Sequence, residues 1–168
     1  WKWLFIYPEQ NIATVNQLAI PAGKSVHFSI TSASVFNTFF IPQLGSMIYA
    51  MPGMISQLYL QADQPTILLG ESAQFSGDGF SGMHFQVHSL DDAAFKAWVS
   101  QIRANGTVLN QSSYAALAQQ SSDVKPAGYK SVDSRLFSDI AAGKLGPAPG
   151  PQPEGAHAGR EETGAGSK

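Results

Sequence analysis

The first ninety residues carry a succession of short β-prone runs separated by proline and glycine. Residues 25–31 alternate strictly between polar and apolar side chains, which is the pattern of a half-buried strand. Residues 14–20 alternate less regularly, and residues 21–24 between the two runs read as a turn. Further runs lie at residues 37–41, 56–62, 66–69 and 83–87. Many short strands at this spacing predict a mainly β fold, a sandwich or a barrel.

Beyond residue 90 the periodicity changes to that of helices. Apolar residues recur at helical spacing from Asp91 to Asn105, where Gly106 ends the pattern, and shorter helices are predicted at residues 112–120 and 134–142. Residues 146–168 contain ten Gly or Pro and no large apolar side chain, so burial cannot offset their ordering entropy. We therefore expect a β domain at 1–90, a helical extension packing on it at 91–145, and a disordered tail at 146–168.

The composition excludes several kinds of chemistry. The chain has no cysteine, which rules out disulfides, iron–sulfur clusters and mononuclear blue-copper sites. Its net charge is −2, and its ten Lys and Arg residues are scattered along the chain, so the sequence does not indicate a basic surface for nucleic acid. There is no run of about 18 apolar residues, so the chain as written is expected to be soluble. It opens on Trp1 rather than Met, which predicts a fragment or a processed product.

Charge is distributed unevenly along the chain. Residues 1–90 hold six charged side chains, whereas residues 91–145 hold eleven. A free β domain normally carries more charge on its solvent face, so this surface is expected to be covered by a partner or to face lipid headgroups. An ordinary surface rich in Ser, Thr and Gln is the alternative.

The isolated motifs do not indicate an enzyme. The GxGxxG pattern at residues 77–82 is followed by a predicted strand instead of a helix, so a glycine-rich connection is favoured over a dinucleotide site. His84 and His88 would be about 13 Å apart in a strand, too far to share a metal ion. No residue stands out as a nucleophile.

The aromatic run at residues 1–7 places alternate side chains on one strand face. An aromatic strand of this kind is usually part of a core. Trp1, Trp3 and Tyr7 are also candidates for contact with a partner or with the membrane interface, where Trp and Tyr are enriched. The third predicted helix is a further candidate for partner contact.

Three longer stretches, residues 1–10, 37–54 and 75–83, together resemble subunit II of haem–copper terminal oxidases, of the quinol-oxidising cytochrome bo type. The resemblance runs in order from Trp1 to about Leu145. It implies a cupredoxin-like Greek-key β-sandwich or barrel with a C-terminal α-helical extension. In this family the domain follows two transmembrane helices, which the chain lacks, and lies on the periplasmic face of the bacterial inner membrane.

The resemblance also places a degenerate copper site. In the cytochrome c oxidase branch a binuclear copper centre is held by two His, two Cys, a Glu and a Met. The corresponding positions in this sequence are Asn37, Ser72, Gln74, Ser76, Phe80 and Met83. Only the methionine remains, and serine cannot replace the bridging thiolates because its hydroxyl stays protonated at neutral pH. We expect no copper in this domain.

The function that the resemblance implies is a non-catalytic one. The domain would belong to a proton-pumping ubiquinol oxidase whose haems and copper lie in subunit I, and it would support assembly on subunit I and the other subunits. Two alternatives remain open: a copper-binding, cupredoxin-like electron carrier, which needs the missing ligands, and an unrelated β-sandwich binding module, for example for carbohydrate.

Overall fold

The computed structural model describes residues 1–74 and 79–146, which form eleven strands and three α-helices. The strands are β1 Leu4–Tyr7, β2 Ile12–Val15, β3 Gln17–Pro21, β4 Val26–Ile30, β5 Asn37–Phe40, β6 Met47–Ala50, β7 Ser56–Leu60, β8 Thr66–Ser72, β9 His84–Leu90, β10 Thr107–Leu109 and β11 Ala127–Val132. The helices are α1 Asp92–Asn105, α2 Gln111–Leu117 and α3 Leu136–Ala141, and short 3₁₀ turns occur at Pro42–Leu44 and Phe80–Gly82. The predicted mainly β class with C-terminal helices is confirmed.

The strands form two sheets and a separate ribbon. One sheet has the order β1-β2-β11-β10, the other the order β3-β9-β8-β5-β6, and β4 pairs with β7. Most neighbours are antiparallel, while β3 with β9 and β10 with β11 are parallel. The N-terminal and C-terminal parts of the chain therefore share a sheet, because β2 pairs with both β1 and β11.

A single residue, Asn16, separates the two sheets. The sequence predicts one strand over residues 14–20, but the structure divides it into β2 and β3. Asn16 lies between them with a φ of 53°, a conformation that Asn tolerates better than most residues. Its buried side chain accepts a hydrogen bond from the Trp3 amide and donates one to the Val124 carbonyl, both at 2.8 Å. The chain thereby passes from one sheet into the other within one residue.

Two hydrophobic clusters support these sheets. The larger is aromatic: the ring of Phe5 lies 4.9 Å from that of Phe85, and Phe39 stacks on Phe85 at 5.7 Å. The smaller cluster is built around Leu109 and Leu136, and β1 packs against it through Leu4. Strand β1 therefore contributes side chains to both clusters.

The helices begin near the predicted positions. The Asp91 carboxylate caps α1 by accepting a hydrogen bond from the Ala94 amide at 2.8 Å, and Asn110 with Ser113 forms a reciprocal cap on α2. The second and third helices are shorter than predicted. Strands β10 and β11 were not predicted, since they lie in the segment assigned to helices.

The division of the chain near residue 90 stays a prediction, and most of the predicted tail, residues 147–168, lies outside the described residues. Within residues 1–74 and 79–146, no helix combines the length and the apolar character that crossing a bilayer requires.

Candidate functional site

Three of the six positions predicted to be a degenerate copper site meet where strands β5, β8 and β9 of the five-stranded sheet begin or end. Asn37 opens β5, Ser72 closes β8, and Met83 immediately precedes β9. Pairing between β5 and β8, with Phe39 opposite Ser72, brings the first two together. All three side chains are buried.

Hydrogen bonds connect these three residues. The Asn37 side-chain amide donates to the Met83 sulfur at 3.3 Å, and the Ser72 hydroxyl donates to the Asn37 side-chain oxygen. That oxygen also accepts from the Thr38 backbone amide at 3.0 Å. The polar atoms are thus paired with one another inside the protein, as buried polar groups generally are.

The other three positions are placed differently. Gln74 is exposed, and its backbone amide donates a hydrogen bond to the Ser72 hydroxyl at 3.4 Å. Phe80 is half-buried in the second 3₁₀ turn. Ser76 lies outside the described residues. The assigned roles of all six positions remain predictions.

The donor set at this site does not fit a binuclear copper centre. Such a centre needs bridging thiolates and imidazole nitrogens, and the described positions offer an amide, a hydroxyl and a thioether. Across residues 1–74 and 79–146, no three His, Asp or Glu side chains are grouped so that they could hold a metal ion. What this arrangement can do is hold the ends of β5, β8 and β9 in register.

Neighbouring segments pack closely against the loop that precedes β9. A side-chain carbon on Gly79 would lie 2.2 Å from the indole of Trp1, so the ring rests directly on the glycine backbone. A carbon on Gly82 would lie 2.1 Å from a carboxylate oxygen of Asp123. Glycine permits such close approach because it has no side-chain carbon, and residues 79–82 therefore lie between the chain start and the segment that follows α2.

Trp1 and Trp3 face inward. The Trp3 indole is buried in the aromatic cluster, with edge-on contacts to Phe39 at 5.4 Å and to Phe85 at 5.8 Å. Trp1 is half-buried against that cluster. These positions agree with the core interpretation of the aromatic strand, and contact of Trp1 and Trp3 with a partner or membrane remains a prediction.

Tyr7 is held by the backbone of β3. Its hydroxyl donates to the Ala19 carbonyl and accepts from the Ala19 amide, each at 2.9 Å. Its ring packs against Trp98 of α1 at 5.4 Å. Burial raises the pKa of the Tyr7 hydroxyl above its ordinary value, because the phenolate would lose its hydration. The neutral hydroxyl links β1 to β3, and the ring links β1 to α1. The predicted contact of Tyr7 with a partner is untested.

Lys2 has a role that the sequence analysis missed. Its ammonium group donates to the carbonyls of Leu117 and Gln119 and to the Ser121 hydroxyl. These groups lie at the C-terminal end of α2, where a cation is favoured by the helix dipole. Burial lowers the pKa of Lys2. No local pattern indicates this contact, since the partners are more than a hundred residues away.

These observations define a mainly β domain that carries a buried, hydrogen-bonded cluster of an amide, a hydroxyl and a thioether at Asn37, Ser72 and Met83. The family model described as "Cytochrome C oxidase subunit II, periplasmic domain" matches residues 7–90, and that of the "COX Aromatic Rich Motif" matches residues 103–143. The chain belongs to the family of periplasmic domains of oxidase subunit II. The first match indicates a periplasmic location.

Similar proteins indicate which branch of the oxidase subunit II family this chain resembles. The chain is 51% identical over 143 residues to "Ubiquinol oxidase subunit 2" of Acetobacter aceti, covering 84% of this chain and 46% of the relative. It is 48% identical over 140 residues to "Cytochrome bo(3) ubiquinol oxidase subunit 2" of Pseudomonas aeruginosa, covering 83% and 42%. The predicted resemblance to quinol-oxidase subunit II is confirmed. The chain spans less than half the length of these curated relatives.

A solved structure supports the fold. The periplasmic domain of subunit II of cytochrome oxidase (CoxB) of Bradyrhizobium japonicum superposes with a TM-score of 0.58 at 21% identity, covering 60% of this chain and 85% of that one. At this identity the likeness concerns the fold alone, and it confirms the cupredoxin-like architecture.

Proposed function

We propose that this chain is the outer domain of subunit II of a membrane-bound, proton-pumping ubiquinol oxidase. In this proposal transmembrane helices anchor it to the periplasmic face of the bacterial inner membrane. The haems and the copper that reduce oxygen lie in subunit I, and the domain itself is a non-catalytic part that stabilises the assembly. The names of the relatives support the proposal, since both are subunit 2 of a ubiquinol oxidase.

The observation that carries the proposal is the hydrogen-bonded cluster of Asn37, Ser72 and Met83. A domain that receives electrons from a soluble protein needs a redox centre near its surface. Quinol delivers electrons within the membrane, so an oxidase that uses it has no need of an outer copper relay. Replacement of metal ligands by groups that bond to each other fits an oxidase that receives its electrons from quinol. It disfavours the alternative of a copper-binding electron carrier.

Copper loading tests the part of the proposal according to which this domain has lost its electron-relaying copper centre. The parent chain and a variant with five substitutions are incubated with copper, desalted, and measured for copper content and visible absorption. The substitutions are Asn37→His, Ser72→Cys, Gln74→Glu, Ser76→Cys and Phe80→His. We expect a colourless, metal-free parent and a coloured, copper-loaded variant, because the variant restores thiolates and imidazoles. The same variant with Ser72 retained is the matched control and is expected to lose the thiolate-bridged absorption.

Stoichiometric, coloured copper in the parent would contradict the proposal and move the domain to the electron carriers. The subunit role is tested separately with the full-length tagged protein solubilised from its membrane. A haem-containing partner and ubiquinol oxidase activity are expected to co-purify with it.

A further inference from the structure

Helix α1 ends at an asparagine that is followed by glycine. The chain contains five asparagines, and Asn105 is the one whose next residue is a glycine, Gly106. Asparagine is a thermally labile residue, because the next backbone nitrogen can attack its side-chain carbonyl carbon. Glycine leaves that nitrogen unshielded, since it has no side-chain carbon. The end of α1 therefore carries the dipeptide of this chain that is chemically most prone to deamidation.

Packing against β11 explains why glycine stands at this position. The φ of Gly106 is −85°, which any residue can adopt, so its backbone conformation does not require glycine. A side-chain carbon there, however, would lie 2.5 Å from the Lys130 amide nitrogen and 2.8 Å from the Ile102 carbonyl oxygen. The contact with β11 favours glycine at this position and so keeps a labile dipeptide in place.

Two hydrogen bonds oppose the attack in the folded protein. The Gly106 amide donates to the Ile102 carbonyl at 2.9 Å, and the Asn105 side-chain amide donates to the Gln101 carbonyl at 3.1 Å. The first bond occupies the N–H group that the attack must deprotonate. The second directs the side chain back along the helix, away from the amide that follows it. Both bonds must open before Asn105 can react, although its side chain is exposed to water.

We propose that Asn105 is a site of spontaneous deamidation that the last turn of α1 controls. When this turn opens, as helix ends do more readily than helix centres, the Gly106 nitrogen loses its proton and bonds to the Asn105 side-chain carbon. The side-chain nitrogen leaves as ammonia. Water then opens the resulting imide ring at either carbonyl, which gives aspartate or isoaspartate. The net reaction consumes water and releases ammonia, with no change of oxidation state.

Either product destabilises the turn that protects the asparagine. A carboxylate at position 105 cannot donate to the Gln101 carbonyl, and a negative charge is unfavourable at the C-terminal end of a helix. Isoaspartate adds a carbon to the main chain directly before Gly106, which packs closely against Lys130 and Ile102. The modification is therefore expected to loosen the packing of α1 on β11. This proposal does not rest on the proposed function.

Mass spectrometry of the full-length protein tests the proposal. The protein is aged either folded or unfolded in urea, at the same mildly alkaline pH, and is then digested with trypsin, which leaves Asn105 and Asn110 in one peptide. We expect modification of Asn105 to be about tenfold faster in urea, because unfolding removes both hydrogen bonds. Asn110 is also exposed but is followed by glutamine. It is the internal control and is expected to change little in either sample.

A variant that weakens the turn without changing the dipeptide tests the control by structure. The Ile102 side chain packs directly on Gly128 of β11, and Ile102→Ala removes this contact. We expect modification of Asn105 in the folded variant to be about threefold faster than in the parent, because the last turn opens more often. Gln101→Ala is the matched control, since Gln101 is exposed in the same turn and keeps its backbone carbonyl. Amide hydrogen exchange measures the opening, and circular dichroism verifies the fold.

The outcomes decide between control by the turn and simple reactivity of the dipeptide. Faster modification in urea and in Ile102→Ala, with Asn110 and Gln101→Ala unaffected, supports the proposal. Equal rates in the folded and unfolded protein overturn it, as does a folded Ile102→Ala whose turn exchanges faster while Asn105 reacts at the parent rate. If Ile102→Ala does not fold, Asn105→Asp replaces it. Faster amide exchange than in the parent over residues 102–106 then supports the proposal, and parent-like exchange contradicts it.

Discussion

Asn16 combines a strained backbone conformation with two buried hydrogen bonds, and substitutions can separate these contributions. Asn16→Gly keeps the positive φ accessible but leaves the Trp3 amide and the Val124 carbonyl unpaired, which is expected to lower the free energy of unfolding by about 2 kcal/mol. Asn16→Ala adds the cost of a left-handed alanine, for a total of about 3 kcal/mol. Denaturant unfolding of both variants measures the difference.

Asn11 provides the control for this series. It has the same φ of 53° but is exposed, and its side chain accepts one long hydrogen bond of 3.3 Å from the Val132 amide. Asn11→Ala is expected to be the mildest of the three substitutions. A ranking in which Asn11→Ala equals Asn16→Ala would show that φ alone determines the cost and that the buried hydrogen bonds contribute little.

For single residues, the sequence predicted which residues form the candidate site better than it predicted how they bond to one another. The resemblance led to Asn37, Ser72 and Met83 as equivalents of one site, and the structure brings them together. The hydrogen bonds among them could not be read from the sequence, because they depend on rotamers fixed by tertiary packing. Asn16 was missed for a similar reason: its neighbours alternate like a single strand, and nothing local marks the change of sheet.

The short helix α2 depends on a contact with the opposite end of the chain. A seven-residue helix has little stability of its own. The Lys2 ammonium donates to the carbonyl of Leu117, the last residue of α2, and to that of Gln119 just beyond the helix. Lys2→Met keeps the length of the side chain but removes the donors. We expect it to cost about 1 kcal/mol locally, seen as about fivefold faster amide hydrogen exchange in α2 and residues 118–121.

Lys24→Met is the control for this prediction. Lys24 forms an ion pair with Asp92 at 3.0 Å, in which both side chains are more than half exposed. Exposed pairs of this kind contribute little, so exchange in α2 should be unchanged. Equal exchange rates in the parent and Lys2→Met would mean that α2 is held by side-chain packing, chiefly by Tyr114.

The elements differ in how far local sequence determines them. Helix α1 was predicted nearly to its ends, because its apolar spacing and its Asp91 cap are local signals. Strands β10 and β11 were missed because β11 pairs with the distant strand β2 and β10 pairs with β11. The short β-prone runs in this segment also lie between stronger helical patterns. The shared sheet of β2 and β11 is therefore information that only the tertiary structure supplies.

This shared sheet predicts how the whole molecule responds to truncation. A chain of residues 1–90 lacks β10, β11 and all three helices, which leaves one edge of β2 unpaired and exposes the apolar side chains that contact Leu109 and Leu136. We expect it to unfold without a cooperative transition and to bind a hydrophobic dye, whereas residues 1–146 unfold cooperatively. Near-ultraviolet circular dichroism during urea titration distinguishes them.

A cooperative transition and native-like near-ultraviolet spectrum for residues 1–90 would contradict this expectation. It would instead mean that the composition change near residue 90 separates two independently folding units. Residues 1–146 serve as the positive control, since every strand and helix described here lies within them.

The pairing of β2 with β11 also sets an order of events during biosynthesis. Val15 lies opposite Ala127, so β2, which pairs with β1 on one side, lacks its second neighbour until more than a hundred further residues have been made. At typical elongation rates that interval is about 5 to 20 s, during which the open edge of β2 can pair wrongly with other strands. Translocation in an extended state, with folding only after residue 132 has emerged, would avoid this hazard, and the high sequence separation of the contacts makes the final step slow.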